Sequence, residues 1–513
     1  MNKEEKNPSK CTICGRPTHK ASKYCIFHAS AEEKTEEEFK KGLEEYIEII
    51  KKEDLDYSFY KFVFIGYVDF KKDFNITIFK NANFFEAIFE GNANFSGIKF
   101  VGNTYFIGTF FKKTTFFTEV TFEGNSVFIK TTFHSDVNFT TTTFNGEADF
   151  KSTKFESFTR FDFLTFNGLA DFREATFKTS TEFKNTSFMS IGNFEDVKFN
   201  GHTSKFMNTT FKNDANFFVV KFKGNADFSE TIFDHEANFG EATFENDINF
   251  RCKYFLGNLN LSKIKTSPGK KIFIRLINKE GIISFNHANL ENTYLEMELG
   301  REILIDFTDA LLKDTKIKKE QIEHHIIQEK EERFFKAQEI YLLLKNNFHS
   351  IGQYDDESWA FGKEKEMERK SNCHFKTLHK WLGSCFLNAI YGYGEKPERV
   401  FLSAILIILI FACVFMNCGI ASPPSGNLPK YNILKELSTG ILYGDLLNKY
   451  VAIPKEQAIK SLYFSTVTFT TLGLGDFTPV DNRGRIYVGL EAFIGAFMMA
   501  LFVYTFARRT GGR

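Results

Sequence analysis

GNADFSETIFD, residues 224 to 234, sets two phenylalanines five residues apart within an eleven-residue frame. GNANFSGIKFV (91–101) and GLADFREATFK (168–178) carry the same frame. From residue 84, phenylalanines fall at 84, 89, 95, 100, 106, 111, 117, 122, 128, 133, 139 and 144, in steps that alternate five and six. The series runs on through Phe150, Phe161, Phe172, Phe183 and Phe194, with intermediates at Phe155, Phe166, Phe177, Phe188 and Phe199. One extra residue precedes Phe206, and the register then resumes to Phe250 and Phe255. A fixed short period marks an array whose units bury their apolar face only against neighbours. An eleven-residue period can also mean a right-handed helical coil. Thr, Asn, Gly and Phe dominate here, however, and most are poor helix formers.

The five-step pattern, A-[DN]-F-x-x, resembles the pentapeptide repeat proteins, whose units stack as a right-handed quadrilateral β-helix. The resemblance implies that the central residue and the one two before it point inward: Phe150 with Ala148, Phe172 with Ala170, Phe228 with Ala226, Phe239 with Ala237. These phenylalanines are then core, not a cofactor box. About eight coils of 22 residues at about 4.8 Å each give a rod of roughly 40 Å. The expected β-helix covers 57–315. SPGKKIFIRLINKEG forms a looped-out insertion (about 256–281), and leucine-centred units return at HANLENTYL and FTDALLKDTKI. The chain has 65 basic and 65 acidic residues, and the rod is only slightly acidic, so no nucleic-acid partner is expected. A scaffold, or a surface for an unknown protein or ligand, is the default reading.

Residues 31–56 place Phe39, Leu43, Tyr46, Ile47 and Ile50 on one stripe, an amphipathic helix to cover the open end of the rod. Residues 316–395 read as a charged helical connector and interfacial segment, with Phe334, Ile340, Leu343 and Leu344 as its stripes and a break at HSIGQYDDES. Ahead of the capping helix, CTICGRPTHKASKYCIFH gives Cys11-x2-Cys14 and, ten residues on, Cys25-x2-His28. Two close pairs of soft ligands suit a tetrahedral Zn2+ site, making 1–30 a structural zinc knuckle, with His19 as an alternative ligand. The first residues lack the apolar core of a signal peptide, so this region is expected in a reducing cytosol.

The C-terminal part has a different character. VFLSAILIILIFACVFMNCGIAS (400–422) is 23 residues without a charge, enough to cross a bilayer. IYVGLEAFIGAFMMALFVYTFA (486–507) carries only Glu491. AIKSLYFSTVTFTT (458–471) is too short to span and must return as a loop. Non-helical backbone at that depth survives only where protein shields it or it lines water. The loop is TLGLGD, whose glycines permit angles that align successive carbonyls. A ring of such loops would replace a cation's hydration shell. Asp476 at the mouth would favour cations.

Residues 400–509 resemble the bacterial two-helix potassium channels, whose filter reads T-V-G-Y-G-D; here it reads Thr471, Leu472, Gly473, Leu474, Gly475, Asp476. Thr470 and Thr471 match that family's paired threonines, and Tyr463 and Phe464 its aromatic collar. The resemblance implies K+ as permeant ion and a homotetramer in the lipid bilayer of the cell membrane. Both termini are then cytoplasmic, which Arg508, Arg509 and Arg513 support. Leu474 stands where Tyr or Phe is usual, which keeps a weakly selective cation pore open as an alternative. A membrane-anchored scaffold without conduction is another. The pore domain is expected over 396–513, with about forty residues before the pore helix as an extracellular turret. YGYGE (391–395) also looks like a filter, but Lys396, Glu398 and Arg399 follow at once, so it reads as the turn into the outer helix. Gly495 reads as a bend in the inner helix. No phosphate loop, nucleophile elbow or paired catalytic set is visible, so no enzyme is expected. No arginine-rich voltage-sensing helix is visible either.

Overall fold

The computed structural model describes residues 10–277, 280–372, 378–422, 426–427 and 455–511, in two compact units, Met1–Gln353 and Tyr354–Arg513. Most of the expected turret, the first nine residues and Arg513 lie outside the described residues.

In the first unit the five-residue step becomes a corner, and four corners make a turn of a β-solenoid. Most strands are two residues long, and they stack into four parallel sheets of 12, 10, 11 and 9 strands. The register is 22 residues, as in Phe111↔Phe133 and Phe155↔Phe177. It becomes 23 at Asn193↔Asn216, where the extra residue enters. The solenoid has about eleven turns, or about 50 Å at the usual strand spacing, rather than eight coils. The difference comes from rungs whose centres are not regular phenylalanines. The stretch 256–281 is not looped out: Leu259–Asn260, Lys265–Thr266 and Lys271–Leu276 join the ladders below them. Leu261, Ile264, Ile272 and Ile274 fill its interior, so the core continues with aliphatic in place of aromatic side chains.

Each face carries a column of rings. On one, Phe84, Phe106, Phe128, Phe150 and Phe172 stack at 4.7, 4.9, 4.7 and 4.8 Å, nearly parallel. These distances equal the strand spacing, so the backbone ladder imposes the stacking. Neighbouring columns meet edge to face, as Phe150 and Phe161 do at 5.8 Å and 85°, a geometry aromatic rings favour. Phe150, Phe172, Phe228 and Phe239 are fully buried, with Ala148, Ala170, Ala226 and Ala237 beside them. At the corners, buried threonines turn back to the preceding rung. Thr131 donates to the Phe106 carbonyl at 2.6 Å and Thr153 to that of Phe128 at 2.7 Å, which gives each oxygen a second bond beside the one it accepts from the backbone N–H three residues on.

Both ends are closed. Helix Glu36–Glu53 starts at a Thr35/Glu38 capping box and buries Phe39, Leu43, Ile47 and Ile50. Phe39 meets Phe64 edge-on at 5.6 Å, and the Tyr46 hydroxyl donates to the Ser58 carbonyl at 2.7 Å. At the far end, helix Phe334–Ser350 presents Asn347. Its amide accepts from Thr315 N–H and donates to Thr315 C=O, both at 2.9 Å. One side chain thus substitutes for the next strand. Residues 316–350 therefore close the solenoid, and the single connector expected over 316–395 divides at Ile351–Gln353.

The second unit is helical: Tyr354–Ser371, Leu378–Tyr391, Pro397–Cys418, Lys455–Phe469 and Asn482–Gly511. The first long apolar helix begins at Pro397 and stops at Gly419, whose φ of 81° ends it before the expected limit. Ile420–Ser422 then pairs antiparallel with Thr478–Pro479, which ties the end of that helix to the residues after the glycine loop.

Candidate functional site

Helix Lys455–Phe469 lies between two longer helices that are apolar enough to cross a membrane, Pro397–Cys418 and Asn482–Arg508. Val400, Phe469 and Met498 form one core where the three meet, and Phe415, Ile420 and Phe464 another. Thr471 and Leu472 close the short helix through bonds to the carbonyls of Thr468 (3.0 Å) and Val467 (3.1 Å). The backbone then alternates. φ is positive at Thr471 (56°), Gly473 (56°) and Gly475 (76°), and at neither leucine between them. Alternation of this kind turns successive peptide dipoles to the same side, the reverse face of the concavity that aligned N–H groups make. Leu472 and Leu474 are 66% and 62% exposed, and no atom stands within 4 Å of a Cβ built on Gly473 or Gly475. Thus the loop is one continuous open strip. Asp476 follows the second glycine, and beside it Tyr463 packs on Phe477 at 5.9 Å. Phe464 faces the other way, into Phe415 at 4.9 Å.

Three contacts fix this assembly that the sequence did not announce. A Cβ on Gly495 would lie 1.9 Å from the Phe469 carbonyl oxygen, so the glycine serves close approach rather than a bend. Glu491, fully buried, bonds to Ser465 on the short helix. At the other end of the same helix, Arg508 pairs with Glu395 at 3.0 Å and lies over Phe361 at 4.8 Å, while Ser358 donates to Glu395 at 2.7 Å. The lone charge of the second apolar segment was the available signal for the second contact. The first and third depend on helix rotation, which composition does not reveal.

A second cluster sits at the start of the solenoid unit. The ligand atoms of Cys11, Cys14, Cys25 and His28 all lie within 4.8 Å of one another. Cys14 and Cys25 sulfurs are 3.5 Å apart, and His28 Nδ1 is 3.6 Å from Cys11 and 3.1 Å from Cys25. A tetrahedral zinc ion needs S···S edges of about 3.8 Å and S···N edges of about 3.5 Å, so the residues fit the ion closely. His28 Nε2 faces the Tyr60 carbonyl at 2.9 Å, which orients Nδ1 toward the sulfurs. Burial pushes the Cys25 thiol up to about 12, and burial also holds His28 below its ordinary value. Burial would raise Cys11 as well, but surrounding backbone N–H groups outweigh it and bring that thiol to about 7. His19 stands apart from the cluster, 3.7 Å from Glu38.

Residues 437–511 match the family model described as "Ion channel". No curated protein and no solved structure matches the chain. The C-terminal unit is thus an ion channel domain with two candidate membrane spans, and the protein joins it to an N-terminal solenoid of pentapeptide-repeat type.

Proposed function

We propose that the protein is a homotetrameric channel that conducts K+ passively across the cell membrane through Thr471–Asp476. The observation that carries this reading is the loop itself. It is exposed along its whole length, its φ alternates in sign, and it stands between a short helix and a membrane-spanning one. One loop supplies one wall, so four copies make the ring of carbonyls that replaces a cation's water shell. The termini face the cytoplasm in this reading, and the solenoid is a scaffold or regulatory module. Its Cys11, Cys14, Cys25 and His28 hold a structural Zn2+ that fastens the N-terminal knuckle to the first rung, because the His28 ring bonds to Tyr60 there. The test is the reversal potential of purified protein in planar bilayers with K+ on one side and Na+ on the other. Reversal near the K+ equilibrium value supports the selective pore. Reversal near zero with robust current means that Leu474 has cost selectivity and the pore is a general cation channel. An absence of current under every condition would favour a membrane-anchored scaffold.

A further inference from the structure

The contact between Glu491 and Ser465 has a proton count that a charged carboxylate does not satisfy. Ser465 Oγ lies 2.9 Å from the Ile408 carbonyl oxygen of the first membrane helix and within bonding distance of Glu491 Oε1 on the last. The hydroxyl has one proton, and a carbonyl and a carboxylate are both acceptors. If Ser465 donates to Ile408, its oxygen must receive from Glu491, which then carries a proton. Solvation leads to the same result. Glu491 is fully buried, its Oε2 has no hydrogen-bond partner, and no cation pairs with it among the described residues. A bare carboxylate there would forfeit its hydration with nothing in return.

The charged and titratable groups around it give no alternative partner. The first membrane helix has none from Val400 to Asn417 except the Cys413 thiol. On the short helix Glu456 and Lys460 pair with each other at 2.6 Å, and the residues one turn from Ser465 are Ser461, Leu462, Thr468 and Phe469, none of them ionisable. On its own helix Tyr487, one turn away, is exposed, and the nearest charges are Arg485 and, at the far end, Arg508, which is taken by Glu395. Asp476 is exposed and lies fifteen residues before Glu491.

We propose that Glu491 is a proton-carrying positioning residue for conduction. Its hydroxyl, Ser465 and the Ile408 carbonyl form a relay that joins all three pore helices, and loss of the proton breaks the relay behind the filter. This rests on the channel reading above. The relay holds Ser465 six residues before Thr471, so its rupture releases the base of the filter loop rather than the fold as a whole.

The experiment is a pH series from about pH 5 to about pH 9 on full-length protein in bilayers, with Glu491→Gln, Glu491→Ala and Ser465→Ala beside the wild type. Wild-type current should fall about tenfold toward alkaline pH, the change that about 1.4 kcal/mol produces. Glu491→Gln supplies an amide donor in the same place, so it should conduct at all pH values with a flat profile. Glu491→Ala and Ser465→Ala should show low current throughout. A flat wild-type profile, or a Glu491→Gln variant that keeps the wild-type pH dependence, overturns the proposal. A conduction-free readout separates it from the channel reading: infrared spectroscopy should show a protonated-carboxyl stretch at neutral pH that Glu491→Gln lacks. Without that band the relay fails, whether or not the protein conducts. If the band is present but no variant passes ions, the channel reading fails, and the conduction role assigned to Glu491 falls with it.

Discussion

Replacing Gly495 by alanine puts a methyl group into space the short helix already fills. The new Cβ would lie 1.9 Å from the carbonyl oxygen of Phe469, 2.8 Å from its carbon and 3.0 Å from its Cα. Ordinary contact begins near 3.4 Å, so the two helices must part by about 1.5 Å at this point. The obstacle is backbone, so no rotamer change relieves it. Alanine's better helix propensity, about 1 kcal/mol, stabilises the helix without moving the obstacle. Phe469 lies two residues before Thr471, and a misplacement of about 1 Å in a geometric site typically costs on the order of a hundredfold in its performance. Gly495→Ala should therefore lower current about a hundredfold, or abolish selectivity, while the solenoid stays folded. Bilayer current and reversal potential measure the first two, and circular dichroism the last. Gly489→Ala is the control, since no atom of its own chain lies within 4 Å of the added group. If Gly495→Ala conducts with wild-type amplitude and selectivity, the close-approach reasoning is wrong. A glycine that served only as a bend would instead change opening and closing while leaving the selectivity of open channels intact.

Phe150→Ala empties a fully buried site stacked between Phe128 and Phe172, and should cost about 3–5 kcal/mol, seen as faster amide exchange confined to the neighbouring rungs. Equal protection in wild type and variant would contradict the stacked-column account. Cys11→Ser with Cys14→Ser should lose zinc by elemental analysis while the reversal potential persists, and stoichiometric zinc in the double variant would refute the ligand set. Val219 adopts φ of 58°, which strains a β-branched residue, while Asn185 and Asn208 hold the equivalent position at another corner. Val219→Asn should therefore stabilise the solenoid by about 1 kcal/mol, read as a raised denaturation midpoint. Glu395→Arg and Arg508→Glu should each alter channel opening, and the double exchange should restore it, because the pair at 3.0 Å joins the start of the outer helix to the end of the inner one. A double variant no better than either single would show that the pair does not couple them.

What the sequence made legible follows from how local each feature is. A phenylalanine every five or six residues states the solenoid outright, because the inward position is set by the chain's own corners. The count of turns was less legible. Once Leu261, Ile264 and Ile274 replace the regular rings, the core stays apolar but the letter changes, and 256–281 looked like an interruption. The closing role of Phe334–Ser350 was hidden for another reason. Asn347 is one polar residue in a charged helix, and only the register of Thr315 beside it shows that its amide completes a ladder. The convergence of Cys11, Cys14, Cys25 and His28 was legible because both pairs have the spacing of a ligand turn. His19 offered the same chemistry but lies across from Glu38.

The two glycine motifs of the second unit show why letters alone do not make a filter. YGYGE resembles the potassium signature more than TLGLGD does. In YGYGE, Gly392, Tyr393 and Gly394 are left-handed in succession, at φ of 57°, 57° and 90°. Consecutive left-handed residues curl the chain, and the curl is filled: Gly392 and Gly394 are buried, against Lys396 and against Arg508 and Tyr504. The Tyr393 hydroxyl bonds back to Ser384. In TLGLGD residues of positive φ alternate with leucines that are not, and no atom stands within 4 Å of a Cβ on either glycine. The first arrangement buries its peptide groups and aims Glu395 at Arg508, as a joint requires. The second leaves a row of peptide groups without a cover from the same chain, which in a membrane is tolerable only beside water, an ion or further copies of the chain. The same residue types thus serve a buried joint in one place and, in the proposed channel, a conduction path in the other. What separates them is the sign pattern of φ, set in one case by Pro397 and the helix it starts, and in the other by the short helix that ends at Phe469.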